Sequence, residues 1–134
     1  MSKSCSLIID VFPENFVICR LSSTSSLPAW AFEGPFISVT KTKDELSIIT
    51  VENDRISKDV QLENNWRCFK LRGPFSFDVT GILASILTPL CNAEIPILAV
   101  STFETDYVLV KEKNLSIAID VLRQNGHEVN VEPK

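Results

Sequence analysis

The stretch Thr80-Gly-Ile-Leu-Ala-Ser-Ile-Leu-Thr-Pro-Leu-Cys91 decides the fold, because the hydrophobic period changes there. Ile82, Leu83, Ile86, Leu87, Leu90 and Cys91 recur at spacings of three and four, which places them on one stripe of an α-helix. Asp78 and Thr80 are its two candidate N-caps. Pro89 lacks the amide that would bond to the Ser85 carbonyl, so a kink is expected in the last turn. Before this helix, Trp66–Arg72 reads as a strand that stops at the turn signal Gly73-Pro74. After it, Pro96–Phe103 is a short apolar run expected to form a buried strand. Glu104-Thr105 is a tight connection, and Asp106–Lys111 is the next strand. A second helix is expected from an N-cap at Asn114. Leu115, Ala118, Ile119 and Leu122 line its face, and Gly126 stands just past its end. His127–Val131 alternates as a last strand. The order β-α-β-β-α-β is the ferredoxin-like, split βαβ arrangement.

Outward from this half, the N-terminal residues are richer in strands and poorer in helix. Leu7–Val11 and Phe16–Leu21 read as strands around the turn-forming Pro13-Glu-Asn15. Leu27–Ala31 allows one helical turn. Phe36–Lys41 and Leu46–Val51 form a hairpin joined near Thr42–Asp44, and Asn53–Asp59 has room for a short helix. The resulting order is a shrunken copy of the second half. Gly34-Pro-Phe36 and Gly73-Pro-Phe75 match each other, but one leads into a strand and the other into a helix, so they do not mark a repeat. Gln61–Asn65 is polar and lacks apolar periodicity. It is the expected boundary between residues 1–62 and 63–134, too short for a free linker. Ile97–Val100 is apolar on both faces, whereas the helices of such a unit cover only one. The other face therefore needs a cover, from the N-terminal half, a second subunit or both.

Composition narrows the function classes. The chain has 134 residues, with 13 basic and 17 acidic side chains and a net charge of −4, so broad attraction to nucleic acid or anionic lipid is not expected. No apolar stretch approaches the ~18 residues of a membrane span. The first ten residues lack the apolar core and cleavage site of a signal peptide, and a cytoplasmic location is expected. Cys5, Cys19, Cys68 and Cys91 contain no Cys-x-x-Cys pair and accompany a single histidine, so buried reduced thiols are expected, with neither metal nor cofactor.

Catalytic signatures are absent. There is no Ser/His/Asp order, Walker loop or metal-binding histidine spacing. His127 follows a helix end and reads as a surface or strand-edge residue. Val79-Thr80-Gly81-Ile82 opens a helix with a glycine. That pattern reads either as a turn that needs glycine or as a cradle of free amides at the positive end of the helix dipole, suited to a carboxylate or phosphate. Ser101-Thr-Phe-Glu-Thr-Asp106 crowds hydroxyls and an acid at a strand end. It reads either as local hairpin chemistry or as a site where Asp106 meets a ligand ammonium or guanidinium.

Trp66–Phe75, Thr80–Leu90 and Ser101-Thr-Phe-Glu-Thr-Asp-Tyr-Val-Leu-Val110 together resemble a small ACT-domain family. Its members pair a degenerate N-terminal ACT-like half with a standard C-terminal one. It is related to the ACT domains ending aspartokinases and to the tandem-ACT cytosolic arginine sensors of animals. The likeness is strong over 66–126 and weaker over 1–62, where Leu27–Trp30 and Phe36–Thr40 carry it. It implies an α+β fold of two tandem ferredoxin-like βαββαβ ACT-type units, the N-terminal one degenerate and strand-rich. It also implies a non-catalytic regulatory module that binds a free amino acid at an ACT–ACT interface. By that resemblance Thr80, Gly81 and Ile82 face the ligand's α-carboxylate and α-ammonium. Thr102, Phe103 and Asp106 match the segment that holds the ligand side chain in arginine sensors, the aspartate position pairing with guanidinium. Ile97 lies on the strand facing the partner.

The same segment serves protein contact in one unit of those sensors, so the alternative is a ligand-independent interaction module. One complete unit per chain implies a homodimer, and a regulated protein partner is also implied. An RNA-binding ferredoxin-like domain fits poorly, because the strands lack the aromatic RNA-binding signature and the charge is acidic.

Overall fold

The structure, a computed structural model, describes residues 6–76 and 80–133. It divides into two compact units, one made of residues 1–13 and 67–134 and the other of 14–66. The ranges are β1 (Ile8–Val11), β2 (Phe16–Leu21), β3 (Ser38–Lys41), β4 (Leu46–Val51), β5 (Gln61–Leu71), α1 (Ile82–Asn92), β6 (Ile97–Ser101), β7 (Asp106–Lys111), α2 (Leu115–Gln124) and β8 (Glu128–Val131). Short 3-10 turns occupy Ala29–Phe32 and Glu112–Asn114.

In the larger unit, β5, α1, β6, β7, α2 and β8 follow the expected β-α-β-β-α-β order. Its sheet has one further strand. β1 lies between β5 and β8, antiparallel to the first through Ile9↔Leu71 and parallel to the second through Ile9↔Val129. β7 pairs with β5, and β6 pairs antiparallel with β7 as the free edge, from Ile97↔Val110 to Ser101↔Asp106. Alternation puts Ile9, Val11, Phe69, Leu71, Val108, Val110 and Val129 into one core with Ile86 and Leu90 of α1 and Ala118, Ile119 and Leu122 of α2. On the opposite face of β1, Asp10 accepts two hydrogen bonds from the Arg72 guanidinium.

The smaller unit orders β3, β4, β2 and residues 61–66 of β5. Val17, Cys19, Leu46 and Ile48 pack against Trp30 and Ala31 of the 3-10 turn. Phe16 and Phe36 meet edge to face, 6.1 Å between centroids.

Several expectations change. The polar run Gln61–Asn65, expected as the boundary between 1–62 and 63–134, is the start of β5. It pairs with β2 through Arg20↔Gln61 and Ile18↔Glu63, which tolerates polar side chains because they face solvent. A bulge between Phe16 and Ile18 is absorbed at Asn65, whose φ of 64° suits asparagine. Residues 53–59 form turns, not a helix. There Asn53 Oδ1 and Ser57 Oγ accept from the amides of Arg55 and Asp59, offering the backbone a local alternative. Cys19 and Cys68 are buried as expected, but Cys91 is exposed. The buried side of α1 centres on Ile86 and Leu90, and the core role then passes to Ile95 beyond the helix.

His127 is the largest departure. It is 5% exposed, not a surface residue. Its Nδ1 accepts from the Leu7 amide at 3.1 Å, which leaves Nε2 to donate to the Ser85 carbonyl at 3.1 Å. That carbonyl is the one Pro89 cannot bond, so a side chain from the α2–β8 turn fills the defect in α1. Gly126, with φ of 89°, supplies the left-handed residue that brings His127 there after α2.

Candidate functional site

The end of β5, the start of α1 and the β6–β7 turn border one surface cleft of about 170 Å³. Its lining includes Phe75, Ile82, Ser101, Thr102, Phe103 and Asp106. Residues 102–105 form the turn. The Thr102 amide donates to the Thr105 carbonyl at 2.8 Å, and the Thr102 hydroxyl donates to the same oxygen at 3.0 Å. Ser101 Oγ donates to Asp106 Oδ1 across the base of the hairpin, so one carboxylate oxygen is held by the chain itself. Phe103 projects from the tip, 81% exposed. The lining residues described include two acids, Glu104 and Asp106, and no base. Beside them, burial pushes the Tyr107 hydroxyl up, with further pushes from Cys68 and Glu104.

On the facing side, α1 starts at Ile82 with Gly81 in the cap position at φ of 80°. Among the described residues no side chain caps it, so Thr80 does not play the capping part expected of it; Asp78 and Val79 lie outside the described residues. The first intrahelical bond runs from the Ser85 amide to the Gly81 carbonyl at 3.0 Å, which leaves the preceding amides directed out of the helix end. This is an anion-favouring end opposite an acidic hairpin. Such an arrangement suits a zwitterion with a cationic side chain, or a cationic peptide group.

Of the residues expected to form the site, Ile82, Thr102, Phe103 and Asp106 share the cleft lining. Thr80 and Gly81 are exposed immediately before Ile82. Ile97 stands at the far end of β6, opposite Val110 and half-buried against the helical core, and does not line the cleft. Sequence reasoning did not single out Phe75, Ser76 or Thr105 as lining residues. The punctuation Gly73-Pro74-Phe75 was the available signal, because it marks where β5 leaves the sheet beside the turn. Among the described residues, no group of three or more His, Cys, Asp or Glu is placed to hold a metal ion, and no helix is long and apolar enough to cross a membrane.

A family model described as an ACT domain matches residues 61–124, and a separate N-terminal-domain model matches 14–59. The cytosolic arginine sensor for mTORC1 subunit 1 of Rattus norvegicus is 32% identical over 101 residues. The match covers 69% of this chain and 30% of that protein, so the chain spans less than a third of that relative's length. A crystal structure of an Agrobacterium tumefaciens protein superposes with a TM-score of 0.90 at 41% identity, covering 97% of this chain and 96% of that one. The regulatory subunit of aspartate kinase from Thermus thermophilus shares the fold, with a TM-score of 0.60 at 9% identity over 84% of this chain and 92% of that one.

Proposed function

We propose that this chain, which carries an ACT domain over residues 61–124, is a non-catalytic regulatory module that binds a free amino acid in the cleft between α1 and the β6–β7 turn. The observation that carries this reading is the convergence of Ile82 with Thr102, Phe103 and Asp106 on one cleft. The amides at Thr80, Gly81 and Ile82 take the ligand's α-carboxylate. Asp106, braced on one oxygen by Ser101, takes a cationic side-chain group through its other oxygen. Arginine is the first ligand to test, since the rat relative is named as an arginine sensor.

The ligand lies at an interface between ACT units, which a homodimer provides. Its seam is β6, an apolar strand paired on one side only among the described residues, and Ile97 lies on this strand that faces the second copy. Residues 14–66 are a degenerate ACT-like unit, the protein is cytoplasmic, and the module acts on a regulated protein partner. Regulation requires that the amino acid bind one state more tightly than another, because equal affinity shifts nothing.

A thermal-shift series over the twenty amino acids tests this. A ligand at 100 times its Kd adds about 2.7 kcal/mol to the stability of the state it binds. No shift at millimolar concentration with any of them would overturn the proposal. The exposed Phe103 favours one second reading, a ligand-independent module that docks a protein through the hairpin tip. Replacing Gly81 with valine separates the two: it abolishes an amino-acid response and changes little in a docking module.

A further inference from the structure

Two limbs border the cleft, the segment that follows β5 and the β6–β7 turn. Two hydrogen bonds fasten them together. Thr105, 7% exposed, donates its hydroxyl to the carbonyl of Leu71, the last residue of β5, at 2.6 Å. The Phe75 amide donates to the Glu104 carbonyl at 2.9 Å. Gly73 leaves the room this needs: a Cβ there would stand 2.9 Å from the same Glu104 oxygen and 3.2 Å from Thr105 Cβ. The turn is also closed on itself, since the Thr105 amide donates to Thr102 Oγ1 at 3.3 Å.

We infer that Thr105 and Gly73 are positioning residues that fix the gap between Asp106 and residues 73–76, so that this part of the cleft is preformed. Thr105 sets the hairpin on the end of β5, and Gly73 lets the Glu104 carbonyl come down onto the Phe75 amide. Asp106 follows Thr105 directly in the chain, so its carboxylate is carried by that anchorage. A ligand entering such a cleft loses no free energy to ordering the turn. The effect on affinity rests on the amino-acid reading of the cleft; the effect on the turn does not.

The test uses the full chain with Thr105→Val, which removes the donor at nearly constant shape, and Thr105→Ser, which keeps it. Hydrogen exchange of the Phe75 amide reports the anchorage without any ligand, and titration calorimetry with L-arginine reports the site. Losing one buried hydrogen bond is expected to speed Phe75 exchange and weaken arginine binding by about tenfold each in T105V, with T105S close to wild type. Gly73→Ala, which disturbs the same junction from the other limb, moves both readouts in the same direction and serves if T105V does not fold. Unchanged exchange in both T105V and G73A would overturn the inference. Faster exchange with unchanged arginine affinity would overturn its functional half. A wild-type chain that binds no amino acid while the variants exchange faster would overturn the ligand reading and leave the anchorage standing.

Discussion

Replacing His127 with leucine tests whether this side chain completes the defect that Pro89 makes in α1. Leucine keeps a comparable apolar volume and removes both polar atoms. The Leu7 amide then loses its acceptor at a buried position, and the Ser85 carbonyl loses its donor with no amide at Pro89 to replace it. Each stranded group costs about 1–3 kcal/mol, so the total is roughly 2–6 kcal/mol. Pro89→Ala restores an amide four residues after Ser85 and re-satisfies that carbonyl alone. In the P89A background the same histidine change is therefore expected to cost about 1–3 kcal/mol less. Urea unfolding of the four proteins gives this coupling as a double-mutant cycle. Additive costs, to within about 0.5 kcal/mol, would refute the claim that His127 serves the proline-vacated carbonyl.

Other outcomes follow from the same geometry. With Cys5→Ser as background, iodoacetamide at pH 8 is expected to label Cys91 quickly and leave Cys19 and Cys68 protected in the folded protein; peptide mass spectrometry reads this, and early labelling of Cys19 would contradict its burial. Burial raises the Cys19 thiol above its ordinary 9.0 and the Tyr107 hydroxyl above its ordinary 10.0. The unfolded chain releases these protons first, so their stabilisation is complete below about pH 9 and is lost as pH rises through the folded values. The urea midpoint should fall above pH 9, and less steeply in Cys19→Ala; a midpoint that does not fall would contradict the reading. Asp106→Asn removes the charge proposed to meet the ligand cation. A charge-assisted bond is worth about 1.5–3 kcal/mol, so arginine affinity should drop roughly 10- to 100-fold by calorimetry while the fold is kept.

The period change at Thr80 made the larger unit legible. Apolar spacing placed α1 and α2, and the clusters at Gly73-Pro74 and Gly126 marked where elements end. What periodicity could not carry was long-range pairing. Nothing local in Ile8–Val11 says that it slots between β5 and β8, more than fifty residues away in sequence. Gln61–Asn65 hid as a strand because its side chains meet solvent and leave no alternation to read. His127 was misplaced for a related reason: the partner that buries it is a backbone carbonyl orphaned by a proline 38 positions earlier, and one-dimensional patterns do not pair such groups. At the cleft, the residues proposed to touch a ligand stood out as a Ser/Thr/Asp cluster. Thr105 and Gly73 did not, because their part is played through the backbone of another loop.

Titrating the 15N-labelled chain with L-arginine, or with whichever amino acid shifts its melting, and following the amide resonances locates the ligand. Amino-acid binding in the cleft gives saturable shifts concentrated at Gly81, Ile82 and Thr102–Asp106, with the remainder of the larger unit moving little. Saturable binding whose shifts lie elsewhere and leave Gly81 and the 102–106 turn unmoved would contradict it.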